Sequence, residues 1–126
     1  MLFRSWKMFG VPKSINILHK INYYYLKDKN RGKYRVIITP PYTLIESYAK
    51  YFKKKKIIIG SQNCYQKDQF SSNTAAISPY MIKRVGANYT LVGHSDNRSE
   101  GDTNEMLKKF MNQIFLKMFL FKLKKI

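Results

Sequence analysis

A chain of 126 residues, 44% of them hydrophobic, is long enough for one modest globular domain and too apolar to be disordered. Its single cysteine excludes an internal disulfide, and we find neither a signal peptide nor an apolar run of roughly 20 residues, so we expect a cytoplasmic protein that does not cross a membrane. The net charge of +17 would suit a nucleic acid, but lysine outnumbers arginine 19 to 5 and amino acids with A/T-only codons supply 59 residues, so a coding bias accounts for the charge and nucleic-acid binding is not the expected function.

Four strand–helix units follow one another along the chain. The predicted strands are short and continuously apolar, at residues 2–6, 35–39, 57–59 and 89–92. The predicted helices begin at a cap on Ser14, at Ser78 followed by a proline, and at two capping boxes, Thr43 with Glu46 and Asp102 with Glu105. Because continuously apolar strands that alternate with helices are typical of a parallel sheet covered by helices, the sequence predicts an α/β fold.

The last part of the chain does not continue this pattern. Residues 111–126 contain no glycine and are rich in lysine and large apolar side chains. We therefore divide the chain into a domain at 1–110 and a basic apolar tail at 111–126, with a basic amphipathic surface helix as the alternative for the tail.

The stretch from Gly86 to Arg98 contains the clearest candidate site. Residues 89–92 are predicted to form a buried strand, and Gly93 leads into a loop that begins at His94. The carboxyl ends of parallel strands are where α/β proteins bind their ligands. His94 is therefore a candidate functional residue, and a loop histidine without a role is the alternative that these residues leave open.

Four motifs, in the same order, resemble those of triose-phosphate isomerases. They are Val-Gly-His-Ser-Asp-Asn-Arg at 92–98, Ser-Trp-Lys-Met at 5–8, Pro-Pro at 40–41 and Gly-Ser-Gln-Asn at 60–63. The resemblance covers roughly residues 2–110. It implies the first four βα units of a (β/α)8 TIM barrel, a fold of about 250 residues when complete.

The resemblance also implies an activity and a set of residues. Members of this family interconvert glyceraldehyde 3-phosphate and dihydroxyacetone phosphate through an enediolate, as part of glycolysis and gluconeogenesis, without a cofactor or metal. His94 stands where the family has its catalytic electrophile, and Lys7 where it has a catalytic, substrate-binding lysine. Ser5 stands at a second substrate-binding position, usually asparagine. Ser95 and Asp96 lie beside His94, where Ser95 is expected to cap the next helix and Asp96 replaces the usual glutamate.

Family members are homodimers, and the resemblance places Gln62, Asn63 and Thr74 at the dimer interface. None of the seven carboxylates stands in the Pro-Val-Trp-Ala context of the family's general base.

These observations leave three candidate functions for the chain. The first is an N-terminal half of an isomerase, inactive alone. The second is one half of a split isomerase that a second chain completes. The third, ranked last, is a basic module that binds nucleic acid or an anionic membrane.

Overall fold

The computed structural model describes residues 2–67, 69–108 and 119–122. Within these ranges the strands are β1 (Leu2–Ser5), β2 (Val36–Thr39), β3 (Ile57–Ile59), β4 (Tyr89–Val92) and β5 (Phe119–Lys122). The helices are α1 (Ile15–Lys27), α2 (Tyr42–Phe52), α3 (Pro79–Arg84) and α4 (Ser95–Ser99), and residues 104–108 are also helical. The predicted alternation of strands and helices is confirmed, as is the α/β class.

The strands pair in parallel in two groups. β1, β2 and β3 form one group in that order, and β4 pairs with β5. Ser61 joins the groups, because its N–H donates to the Tyr89 carbonyl at 2.8 Å and its carbonyl accepts from the Leu91 N–H at 3.0 Å. The strands β1 to β4 therefore lie side by side in chain order with their carboxyl ends at one edge, which is the geometry of consecutive strands in a barrel.

The hydrophobic core lies between the strands and the helices that cover them. All four residues of β2 and of β4 are buried, which explains why both read as continuous apolar runs. Tyr48 of α2 is 1% exposed, packs edge-on against Trp6, and donates from its hydroxyl to the Val11 carbonyl at 2.9 Å. The core thus fixes both sides of the loop that follows β1.

The helix starts show two different outcomes. Ser78 caps α3 as predicted, since its hydroxyl accepts from the Met81 N–H at 3.3 Å. Ser14 occupies the cap position of α1, as predicted, but its side chain makes no hydrogen bond to the helix. A turn of 3₁₀ helix precedes α1, and the Ser14 hydroxyl accepts from the Val11 N–H at 3.1 Å within that turn.

The capping box predicted on α2 is wrong. The helix begins at Tyr42, directly after Pro41 and two residues earlier than a cap at Thr43 predicts, and Thr43 lies inside its first turn. Proline supplies the entry geometry there, so the helix needs no hydroxyl at that position. Glu46 instead forms an ion pair with Lys50 at 2.7 Å, one helical turn further on.

The helical residues 104–108 begin later than predicted. Thr103 caps them, with its hydroxyl accepting from the Met106 N–H at 3.2 Å, so the box of Asp102 with Glu105 is wrong. The Asp102 Oδ2 atom is buried without a hydrogen-bond partner in the part of the chain described, and burial raises the pKa of this carboxyl.

The division at residue 110 stays a prediction, because residues 109–118 and 123–126 lie outside the described residues. Phe119–Lys122 form β5, in register with β4 from Tyr89↔Phe119 to Val92↔Lys122. A surface helix is therefore not the structure of those four residues. Among the helices described, none has the length and apolar character needed to span a membrane.

Candidate active site

The candidate site lies where β1, β3 and β4 end. Gly93 directly follows β4 with a φ of +67°, a region that side chains other than glycine rarely adopt. A Cβ atom on Gly93 would also lie 2.9 Å from the Leu107 Cδ1 atom. This tight turn places His94 at the N-terminus of α4, so the glycine sets the position of the histidine.

His94 itself caps α4. Its Nδ1 atom accepts from the Asp96 N–H at 3.2 Å, and Ser95 is the first residue inside the helix. The prediction that Ser95 is the cap is therefore wrong, because the His94 ring occupies the cap position and accepts from the free N–H. A nitrogen that accepts a hydrogen bond carries no proton, so this contact puts the proton of a neutral ring on Nε2. The side chain is 17% exposed, which leaves one edge of the ring open to a ligand.

Asp96 is paired with Lys7 and lies beside His94. The Lys7 Nζ atom lies 3.2 Å from Asp96 Oδ2, and the other carboxylate oxygen lies 3.5 Å from His94 Nδ1. Ser95 also donates from its hydroxyl to Asp96 Oδ1 at 3.3 Å. The hydrogen bond from Lys7 is the main reason why the pKa of Asp96 lies below its usual value. Both partners of the Lys7 pair are more than half exposed, so the pair orients the two side chains and contributes little to folding.

The backbone of Lys7 is held in an unusual conformation. Its φ of +51° is left-handed, which costs about 1–2 kcal/mol for a residue with a Cβ atom. Two side chains hold it there. The Ser5 hydroxyl accepts from the Lys7 N–H at 3.2 Å, and the Gln62 Nε2 atom donates to the Lys7 carbonyl at 2.7 Å. Ser5 also donates to Gln62 Oε1 at 3.4 Å, which closes a small network across β1 and β3.

This contact gives Gln62 a role that the sequence did not suggest. Its predicted place is at a dimer interface, whereas in the single chain it supports the lysine loop. The signal that could have revealed it is position, because Gln62 follows β3 by three residues on the same edge where β1 ends. Asn63 lies beside it, and its carbonyl accepts from the Tyr42 hydroxyl at 2.6 Å.

The predicted site residues line a cavity of about 660 Å³, within the size range of small-molecule sites. Ser5, Lys7, His94 and Asp96 line it together with Gln62 and Asn63, and Glu100 joins them although the sequence analysis did not select it. A second cavity of about 720 Å³ shares Ser5, Lys7 and His94. Ser95 and Thr74 are not among the residues that line these cavities. Thr74 is exposed, in a turn where the next residue, Ala75, has a φ of +63°.

Comparison with known proteins gives one consistent match. The family model described as triosephosphate isomerase matches residues 1–119. The triosephosphate isomerase of Wolbachia pipientis wMel is 33% identical over 86% of this chain and 42% of its own length. That of Buchnera aphidicola subsp. Baizongia pistaciae is 31% identical over 87% of this chain and 44% of its own.

The fold has a counterpart among solved structures. The crystal structure of triosephosphate isomerase from Bartonella henselae superposes with a TM-score of 0.83, at 23% identity, over 94% of this chain and 48% of that one. At this identity the superposition concerns the fold, and it places the chain on one half of a barrel. The chain spans about two fifths of the length of the curated relatives it matches.

Proposed function

Because this chain belongs to the triosephosphate isomerase family, we propose that it carries the electrophilic half of an isomerase site for a triose phosphate. The reaction is the conversion of glyceraldehyde 3-phosphate to dihydroxyacetone phosphate through an enediolate. The observation that carries the proposal is the convergence of His94 and Lys7 from different strands on one cavity, with Asp96 between them.

Each side chain has a role that follows from its contacts. The Nε2–H group of His94 is the donor left free to stabilise the oxyanion of the enediolate, since Nδ1 is engaged by the helix N-terminus. The Lys7 ammonium supplies positive charge to the substrate, whose phosphate carries more negative charge than the single carboxylate of Asp96. Ser5, as part of the network that holds the Lys7 backbone, brings a hydroxyl to the substrate cavity.

We propose that these 126 residues do not turn over substrate alone. Proton transfer between two carbons needs a base aimed at the substrate carbon. Asp96 is poorly suited, because Lys7 lowers its pKa and occupies one of its oxygens. Glu100 lies at the C-terminal end of the same short helix and is exposed. None of the seven carboxylates has the sequence context of the family's base.

A split isomerase is the second candidate function. In it, a second polypeptide supplies the base and the remaining strands. The high TM-score over one half of a barrel supports this candidate, because a complementing half needs a partner that already has barrel geometry. We further propose a cytoplasmic location and the family's homodimer, with Gln62, Asn63 and Thr74 at the contact.

The test is complementation. The chain is produced in a host that lacks its own isomerase and is mixed with the C-terminal part of the Wolbachia relative that it does not match. We expect no turnover in a coupled assay for the chain alone, and turnover for the mixture. His94→Gln should lower the turnover of the mixture by about 100-fold or more. Lys7→Met should also lower the turnover of the mixture. Its matched control, Lys20→Met, on the exposed side of α1, should leave the turnover unchanged.

Three results would contradict the proposal. Turnover by the chain alone that disappears in His94→Gln would show that no second half is needed. Turnover by the mixture that His94→Gln leaves unchanged would remove the histidine from the reaction. Equal losses in Lys7→Met and Lys20→Met would show that only overall charge matters.

A further inference from the structure

A separate cleft, distinct from the two cavities beside His94, lies at the opposite end of the strands. It is formed by α2, the turn after α3, and the residues that lead into β3 and β4, and it has a volume of about 390 Å³. Gly86 forms part of its wall and has a φ of +97°. A Cβ atom on Gly86 would lie 2.8 Å from the Ala49 Cβ atom, so the turn and α2 are in close contact on this side.

The cleft has a basic rim. Lys50, Lys53, Lys55 and Arg84 line it together with a single carboxylate, Glu46. Glu46 is already paired with Lys50 at 2.7 Å. Across the described residues, Lys53 and Arg84 form no ion pair, and the Lys55 Nζ atom lies 3.8 Å from the centre of the Tyr51 ring. The aromatic contact holds the Lys55 ammonium in place while its charge stays uncompensated.

The floor of the cleft is apolar. Ala49, Phe52, Ile57, Ile59 and Val85 contribute to it, and Phe52 and both isoleucines are buried. The exposed residue Asn88 adds an amide that can donate or accept a hydrogen bond. A small site with cations at its rim and an apolar floor is complementary to an anion attached to a compact apolar group.

We propose that this cleft binds a small organic phosphate, with the phosphate at Lys53, Lys55 and Arg84 and the apolar part of the ligand on the floor. Phosphate is the anion that an arginine and several lysines bind with charge-assisted hydrogen bonds. The site is independent of the proposed isomerase activity, because it shares no lining residue with either of the two cavities that His94 lines.

The basic run at residues 53–56 provides its own control. Lys53 and Lys55 line the cleft, whereas Lys54 and Lys56 do not. All four are exposed, so exchanging either pair for glutamine removes the same charge without disturbing the core. Binding that depends on net charge alone weakens equally in the two double variants. Binding in the cleft weakens only in the first.

The experiment is a titration of the whole chain with phenyl phosphate, followed by the amide NMR signals of Gly86 and Asn88. We expect saturable shifts, with affinity about tenfold lower in Lys53→Gln/Lys55→Gln and unchanged in Lys54→Gln/Lys56→Gln. Inorganic phosphate should bind more weakly than phenyl phosphate, because it cannot use the floor. Oligouridylate, a phosphate polymer, distinguishes a small ligand from a nucleic acid and should bind no more tightly per phosphate.

Several outcomes would overturn the proposal. Equal weakening in the two double variants would assign the binding to dispersed charge. Inorganic phosphate binding as tightly as phenyl phosphate would remove the apolar floor from the site. Much tighter binding of oligouridylate, lost equally in both variants, would point to a polycation that binds nucleic acid. Shifts at His94 without shifts at Gly86 would place the ligand in the other cavity.

Discussion

A single methyl group added at Gly60 should destabilise the fold. It lies between β3 and Ser61, and a Cβ atom there would be 2.9 Å from the Tyr89 carbonyl oxygen and 3.1 Å from the Thr39 Cγ2 atom. The first neighbour is backbone of β4, so it cannot move away as a flexible side chain would. The alanine variant must therefore separate β4 from β3 or distort the turn.

The cost can be estimated from these contacts. Overpacking a close-packed site costs about 1–3 kcal/mol. Moving the Tyr89 carbonyl also weakens the 2.8 Å hydrogen bond from the Ser61 N–H, at about 1 kcal/mol. Alanine also restricts the backbone of the unfolded chain, which offsets about 0.4–1 kcal/mol of this destabilisation. We expect Gly60→Ala to lower the free energy of unfolding by about 2 kcal/mol.

The measurement is urea denaturation followed by circular dichroism, with Gly32→Ala as the matched control. No atom lies within 4 Å of a Cβ added to Gly32, and its backbone is not left-handed. The control should be neutral or more stable by up to about 1 kcal/mol. A Gly60→Ala midpoint equal to or above that of Gly32→Ala, at equal m values, would refute the argument from close contact.

Three further predictions concern the ion pair, a turn and the buried thiol. Lys7→Met should raise the pKa of Asp96 towards its ordinary value in an NMR titration, and Lys20→Met should leave it unchanged; no difference would remove the pair as the cause. Ala75→Gly should raise the free energy of unfolding by about 0.5–1 kcal/mol in urea, because it relieves a left-handed backbone, and a loss of stability would contradict this. Burial raises the pKa of the Cys64 thiol from 9.0 to about 12, so only the unfolded thiol ionises between those values. Between pH 9 and about pH 12, stability should therefore fall by about 1.4 kcal/mol per pH unit relative to Cys64→Ala, and equal slopes would exclude the thiol.

The strands could be predicted from the sequence because buried strands are rich in apolar residues. The predicted strands are short apolar runs, and the structure places all four within a residue of the expected ends. The relation between His94 and Lys7 followed from the family motifs rather than from chemistry visible in the sequence. Spacing alone does not bring two residues 87 positions apart onto one cavity.

The helix starts were less predictable because several groups compete for the same N–H donors. At α4, the ring of His94 takes the position expected for Ser95, and at α2 a proline makes a hydroxyl unnecessary. The buried hydrogen bond from the Ser61 hydroxyl to the Thr90 hydroxyl, at 2.7 Å, also left no sign in the sequence. In the sequence, Ser61 and Thr90 are ordinary small polar residues, and only the packing of the two strands brings their hydroxyls together.

The left-handed backbone of Lys7 has a consequence for how this sequence can diverge. Its position depends on one acceptor from β1, the Ser5 hydroxyl, and one donor from beyond β3, the Gln62 amide. A lineage that replaces Ser5 keeps the conformation only with another side chain that accepts from the Lys7 N–H, such as asparagine, and one that replaces Gln62 leaves the Lys7 carbonyl without its donor. Position 5 should therefore vary only among side chains that accept from the Lys7 N–H, and Gln62 should be retained wherever Lys7 keeps this backbone, even though position 62 is more than 50 residues from the other two.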